Sequence, residues 1–219
     1  MKKVIKYIAA VMFLTLASAC SSDDATTGAD MGFEKNIDGV PVLCGTEGSA
    51  PYAAMLTADG ELKGKFDAMP GFSVNGIFAV CVSYLDTDRD RVTHPKREVR
   101  VALYKLSDCK PIEGAVFKRA GYYSDGLIPV ITEDDEYAVV DKKGETKFLM
   151  REAVGKEIEK CGTFYSDGLL KVKGQNGKWG YIDKKGEVIV PFKYDNTMWY
   201  MYGYTIVWNL KNKKYRWVL

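Results

Sequence analysis

The sequence predicts an all-β fold, built as a tandem array of three-stranded antiparallel meanders. Two observations lead there. Tyr123-Ser124-Asp125-Gly126-Leu127 returns 42 residues later as Tyr165-Ser166-Asp167-Gly168-Leu169, and at the same offset Asp141-Lys142-Lys143-Gly144-Glu145 returns as Asp183-Lys184-Lys185-Gly186-Glu187. Self-similarity at a fixed period of this size marks a repeat architecture. Apolar residues, in turn, settle nowhere into a 3.6-residue stripe, and Val154–Ile158 is too short to carry one. Runs with β-branched and aromatic residues instead recur between Gly, Asn and Asp turns.

The first segment, residues 1–19, reads as a targeting peptide rather than part of the fold. Lys2, Lys3 and Lys6 form a positive start, and Val4–Leu16 is apolar but too short to span a membrane. It ends in Leu16-Ala17-Ser18-Ala19-Cys20. This resembles the lipobox of bacterial lipoproteins, which implies cleavage before Cys20 and acylation of that residue. An ordinary secretory signal with an incidental cysteine is the alternative. Residues 20–33 begin Ser21-Ser22-Asp23-Asp24, are small and polar, and are expected to tether lipid to domain. Serine and acid directly after the cysteine resemble a surface-export signal of one group of Gram-negative lipoproteins. The implied location is the cell envelope, anchored in the outer membrane and open to an outward-facing leaflet.

Residues 34–219 are expected to form one β domain. Without Lys2, Lys3 and Lys6 the 31 basic residues become 28, against 29 acidic ones, a net charge of −1. Such a near-neutral domain has no electrostatic footprint for nucleic acid. Cys44, Cys81, Cys109 and Cys161 could pair in three ways in an oxidising compartment. Cys81 lies in an apolar run, where a buried free thiol is at least as reasonable.

Taken in order, the units are faint at first. Ala53–Glu61 echoes a second strand and its turn. Asn75-Gly76-Ile77-Phe78-Ala79-Val80 opens the next unit, Arg100–Lys105 is its second strand, and Ser107–Lys110 its turn. A charged insertion, Asp86–Glu98, lies between them. The unit from Tyr123 to about Glu157 keeps the rhythm. The clearest unit runs from Tyr165 to about Asp195. Gly168–Lys173 is its first strand, and Asn176-Gly177 is read as a hairpin turn, because both residues tolerate positive φ. Lys178–Ile182 is the second strand, Asp183–Gly186 a turn, and Glu187–Phe192 a third strand stopped by Pro191. Tyr204–Trp208 and Tyr215–Leu219 are two further strands. The count is about four and a half units, expected as an open or partly curled, propeller-like array.

Gly168-Leu169, Gly177-Lys178-Trp179-Gly180-Tyr181-Ile182-Asp183, Gly186 and Val190-Pro191-Phe192 resemble the WG-containing repeat, named for the pair seen here as Trp179-Gly180. The unit before it departs from that pattern, with Tyr137-Ala138 in place of Trp-Gly. The resemblance implies an interaction role and no reaction.

Chemistry is sparse. His94 is the only histidine, so triads and histidine-based zinc sites lack partners. Asp86-Thr87-Asp88-Arg89-Asp90 spaces carboxylates as a calcium loop would, but Arg91 and Arg97 stand where such a loop needs glycine and glutamate. No catalytic residue, metal ligand or cofactor is assigned. Trp179 is read as a packing residue. Alternation would place Tyr200, Tyr202 and Tyr204 on one strand face and Trp199 on the other, and these four are the candidate ligand-binding residues. They would meet an envelope protein or a glycan, while the membrane is met through the lipid. The alternative is a carbohydrate-active hydrolase using a carboxylate pair.

Overall fold

The computed structural model describes residues 37–44, 52–85, 97–200, 202–209 and 214–218. Cys20, the targeting segment and the tether lie outside the described residues, as do His94 and the acidic triplet Asp86, Asp88 and Asp90. Among the described residues, no helix is long and apolar enough to cross a membrane.

Five units follow one another. The first is β1 (Ile37–Cys44), β2 (Tyr52–Thr57) and β3 (Leu62–Phe66). The second is β4 (Ser73–Val74), β5 (Ile77–Leu85), β6 (Arg97–Lys105) and β7 (Lys110–Phe117). The third holds β8 (Arg119–Ala120), β9 (Leu127–Ile131), β10 (Tyr137–Asp141) and β11 (Thr146–Leu149), closed by a short helix α1 (Met150–Val154). The fourth comprises β12 (Ile158–Cys161), β13 (Leu170–Gly174), β14 (Trp179–Ile182) and β15 (Val188–Tyr194). The fifth is β16 (Asn196–Thr197), β17 (Thr205–Asn209) and β18 (Lys214–Val218). The described pairings are antiparallel. The first two units join through β1 and β4, with Gly39 opposite Ser73, into one seven-stranded, strongly curled half-barrel sheet, and each later unit keeps its own small sheet. The predicted all-β meander repeat is therefore the observed fold. The short helix is its one departure among the described residues, ended by Gly155 at φ 66, whose N–H donates to the Arg151 carbonyl.

Why strands this apolar stack rather than form one sandwich follows from their faces. Successive side chains on a strand point to opposite sides. In β9 and β10, Ile128, Val130, Ala138 and Val140 pack back onto Ile77, Leu103, Ala115 and Phe117 of the second unit. Leu127 and Val139, on the other face, pack forward onto Leu170, Val172 and Ile182 of the fourth. A sheet buried on both sides reads as a continuous apolar run, which is why Leu127–Val130 and Trp179–Ile182 are buried at every position. Inside the curled sheet, Ala53, Met55 and Phe66 meet Phe78, Val80 and Leu106. Each unit thus lends one face to its predecessor and one to its successor.

Two kinds of turn repeat. Asn75-Gly76, Asp125-Gly126, Asp167-Gly168 and Tyr202-Gly203 all have φ between 50 and 90 at both residues, the signature of a two-residue type I′ hairpin. Ser124 and Leu127 exchange both backbone bonds across theirs, and Ser166 and Leu169 do the same. The predicted Asn176-Gly177 hairpin joins β13 to β14, with a turn of another geometry. Only Gly177 has positive φ, Gly177 N–H bonds Gly174 O, and Asn176 Oδ1 accepts from the Lys178 N–H at 3.1 Å. A longer loop closed by a single left-handed residue needs just one such position.

The Trp-Gly pair has a packing cause. A Cβ on Gly180 would stand 2.5 Å from Val190 O and 3.1 Å from Phe192 N. The β14–β15 register slips there, so β15 crosses close over position 180. In the third unit β11 stops at Leu149 and turns into α1, so Ala138 is tolerated at the equivalent place.

Candidate functional site: the aromatic end of the array

β14 presents Trp179 and Tyr181 forward toward the fifth unit, opposite Lys173 and Lys171 of β13. Tyr181 is buried, and its hydroxyl meets Thr197 Oγ1, Met198 O and, at 2.8 Å, Thr205 Oγ1. Burial pushes this phenol up, against the pull of the two threonine bonds. Both threonine hydroxyls are buried and donate to backbone as well, Thr197 Oγ1 to Ile206 O at 3.2 Å and Thr205 Oγ1 to Met198 O at 3.3 Å, so the cluster is satisfied.

Trp199 lies flat on Phe164, centroids 4.3 Å apart at 25°. The Lys171 ammonium sits 3.7 Å from the Trp199 centroid and 5.3 Å from that of Trp179, bridging two indoles of consecutive units. Gly162 makes room, since a Cβ there would come within 3.0 Å of Trp199 Cζ3. Tyr200 packs edge-on to Tyr181, 5.8 Å between centroids, and donates its hydroxyl to Gly203 O at 2.8 Å. Trp199 and Tyr200 therefore serve the junction between units.

Tyr202 and Tyr204 face water, 71% and 40% exposed. The strand alternation predicted for Tyr200, Tyr202 and Tyr204 is corrected here. Residues 198–200 belong to no strand, Tyr202 and Gly203 form a turn, β17 starts only at Thr205, and Tyr202 occupies the left-handed position of that turn at φ 55. In the preceding units Asn75, Asp125 and Asp167 fill this position. Asn and Asp tolerate it, whereas a bulky aromatic there is strained. Asp167 Oδ2 accepts the Gly203 N–H at 3.0 Å, bracing the turn from below.

Several residues that hold this end together escaped sequence reasoning. Lys171 carries no motif; only the register that sets it beside Trp179 reveals it. Thr197 and Thr205 look like ordinary strand residues until Tyr181 is placed over them.

Cys44, Cys109 and Cys161 are free thiols. Cys81 is exposed, contrary to the buried reading of its apolar run, because alternation turns it to the face opposite buried Phe78 and Val80. Cys161 packs against the core between the third and fourth units, and burial pushes its thiol up to about 12. Among the described residues, the carboxylates with displaced titration are Asp59, held low by Thr57, and Asp141. Burial acts to raise Asp141, but Lys147 at 2.8 Å and the N–H groups of Lys143 and Glu145 outweigh it and hold it low. Among the described residues, no three His, Cys, Asp or Glu side chains converge as metal ligands would.

The family described as the WG containing repeat matches residues 179–215. That stretch, well under half of the chain, runs from β14 of the fourth unit to the start of β18 in the fifth. It is one period of the array and spans the Tyr181–Thr205 junction. No curated protein matches the chain.

Proposed function

We propose that this chain is a lipid-anchored cell-envelope protein, held in the outer membrane through Cys20, whose repeat array is a binding module for an envelope protein or a glycan. The observation that carries the reading is Tyr202. An exposed tyrosine in a left-handed turn adds strain and no packing, and strain that the fold does not need points to a contact made elsewhere. Tyr204, two residues on, is also exposed. Such rings stack on the apolar faces of sugar rings or anchor a protein partner.

A carboxylate-pair hydrolase is the second reading, and no observation favours it. Its general acid would be a carboxyl held up, whereas Asp59 and Asp141 are both held down.

Full-length chain carrying Cys20→Ser serves as the probe on an array of neutral and charged oligosaccharides and in crosslinking to envelope proteins. The reading expects a specific partner that is lost on Tyr202→Asn. Binding indifferent to Tyr202 and Tyr204 would overturn it. The anchor is tested apart from this. Wild type should sediment with membranes and Cys20→Ser should not.

A further inference from the structure

The dipeptide Asn-Gly occurs twice in the chain, at Asn75-Gly76 and at Asn176-Gly177. It is chemically fragile. Glycine places no Cβ beside its own nitrogen, so that nitrogen can reach the carboxamide carbon of the asparagine before it. Both asparagines are exposed, and a Cβ on either glycine would meet nothing within 4 Å. Exposure and crowding therefore do not separate the two sites. Their hydrogen bonds do.

At Asn75-Gly76 the attacking nitrogen faces a charge. Gly76 N–H donates to Asp38 Oδ2 at 2.5 Å, and Asp38 Oδ1 is buried without a partner among the described residues. The carboxylate is thus directed at that N–H. An amide nitrogen must shed its proton to attack, and an anion at hydrogen-bond distance opposes the negative charge that this leaves. The Asn75 carboxamide is also tied to the next unit, Nδ2 donating to Tyr123 O at 3.3 Å.

At Asn176-Gly177 the arrangement is the opposite. Gly177 N–H donates to a neutral carbonyl, Gly174 O, at 2.9 Å. Lys178 N–H donates to Asn176 Oδ1 at 3.1 Å, the oxygen on which negative charge gathers when the carboxamide carbon is attacked. Nδ2, the nitrogen that must leave, donates to Phe192 O at 3.4 Å, a long and weak bond.

We propose that Asn176 is a site of spontaneous covalent modification, and that Asp38 protects Asn75 from the same reaction. Gly177 N gives up its proton to solvent base and bonds Asn176 Cγ. The Cγ–Nδ2 bond breaks, and the departing nitrogen takes a proton and leaves as ammonia. Water opens the resulting succinimide at one carbonyl or the other, giving aspartate or isoaspartate. The new carboxylate sets an acceptor against Phe192 O where a donor stood, and isoaspartate adds a methylene to the backbone of the hairpin between β13 and β14. Both products weaken that hairpin.

The test incubates the full chain in detergent and mildly alkaline buffer for weeks. Trypsin separates the sites into residues 174–178 and residues 66–89, and mass spectrometry follows the amide-to-acid mass gain in each. Electron-transfer fragmentation tells isoaspartate from aspartate. In the folded chain Asn176 should convert at least tenfold faster than Asn75. In urea, where neither arrangement exists, the two rates should agree within about threefold. Asp38→Ser keeps an oxygen acceptor and removes the charge. With its fold checked by circular dichroism, it should speed Asn75 several-fold and leave Asn176 as it was.

Equal rates in the folded wild type, or a faster Asn75, would overturn the proposal, and this comparison needs no variant. A tenfold difference that persists in urea would overturn it too, since its cause would be the flanking sequence. So would a folded Asp38→Ser chain whose Asn75 stays as slow as before. These outcomes leave Tyr202, and the binding reading that rests on it, untouched.

Discussion

Asp125 Oδ2 accepts the backbone N–H of Gly168 at 2.7 Å, so the hairpin turn of the third unit holds that of the fourth. Asp167 repeats the bond on Gly203 at 3.0 Å, and Asp38, at the start of β1, makes it to Gly76 at 2.5 Å. In the second unit, Asn75 Nδ2 donates to Tyr123 O at 3.3 Å instead. One residue type thus does two jobs. Asp125 and Asp167 each sit in the left-handed turn position and tie their unit to the next, whereas Asp38 makes the tie from a strand.

Asp125→Ala should remove both contributions. A net hydrogen bond to a charged group is worth about 1.5–3 kcal/mol, and Asp125 is exposed, so a loss of about 1–2 kcal/mol in urea unfolding is expected. Asp125→Asn keeps the turn and an acceptor and should lose less. Equal loss from both substitutions would show that the carboxylate's bond to Gly168 carries the effect and the turn conformation does not.

Glycine at the second turn is also set by the neighbouring unit. A Cβ on Gly144 would stand 2.5 Å from Ala115 Cβ, and one on Gly186 2.5 Å from Ala153 Cβ. Cys109, at φ 50, keeps its Cβ, and there the facing residue is Gly64, where an added Cβ would fall 2.8 Å from that of Cys109. Each junction has room for one Cβ. Gly144→Ala should cost about 2–4 kcal/mol from crowding and left-handed strain together. Ala115→Gly in the same chain should recover part of it, measured as a double-mutant cycle of unfolding free energies. No recovery would refute the packing account.

Much of this was legible in the sequence. The 42-residue echo gave the period because the same turns must be rebuilt in each unit, and turn residues are specified by backbone conformation. The strands were legible as apolar runs, and Trp179, 8% exposed, is the packing residue the sequence indicated. What could not be read was the relation between units. Asp125 looked sufficient as turn chemistry, and its second bond appears only when Gly168 is placed beside it. The tyrosine row failed for a similar reason. A positive φ at Tyr202 goes against the preference of the residue itself, so no propensity could announce it. The helix Met150–Val154 was missed because five residues cannot display a period.

Alkaline pH should loosen the junction between the third and fourth units. The Cys161 thiol is raised from 9.0 to about 12, and burial also raises Tyr165. Both groups are neutral when folded and ionise sooner when unfolded. Their stabilising effect is therefore whole below about pH 9 and falls away as pH climbs toward 12. Cys161→Ala should flatten the decline in melting temperature over that range. At pH 8, iodoacetamide should label exposed Cys81 well before Cys161. The reverse order of labelling would contradict the burial assigned to Cys161.

The binding account turns on one substitution, Tyr202→Asn, read simultaneously for unfolding free energy and for partner binding. Asparagine suits the left-handed position, so the account predicts stability unchanged or raised by up to about 1 kcal/mol together with at least tenfold weaker binding. A destabilised chain that binds as before would contradict it, because Tyr202 would then be serving the fold and not a partner.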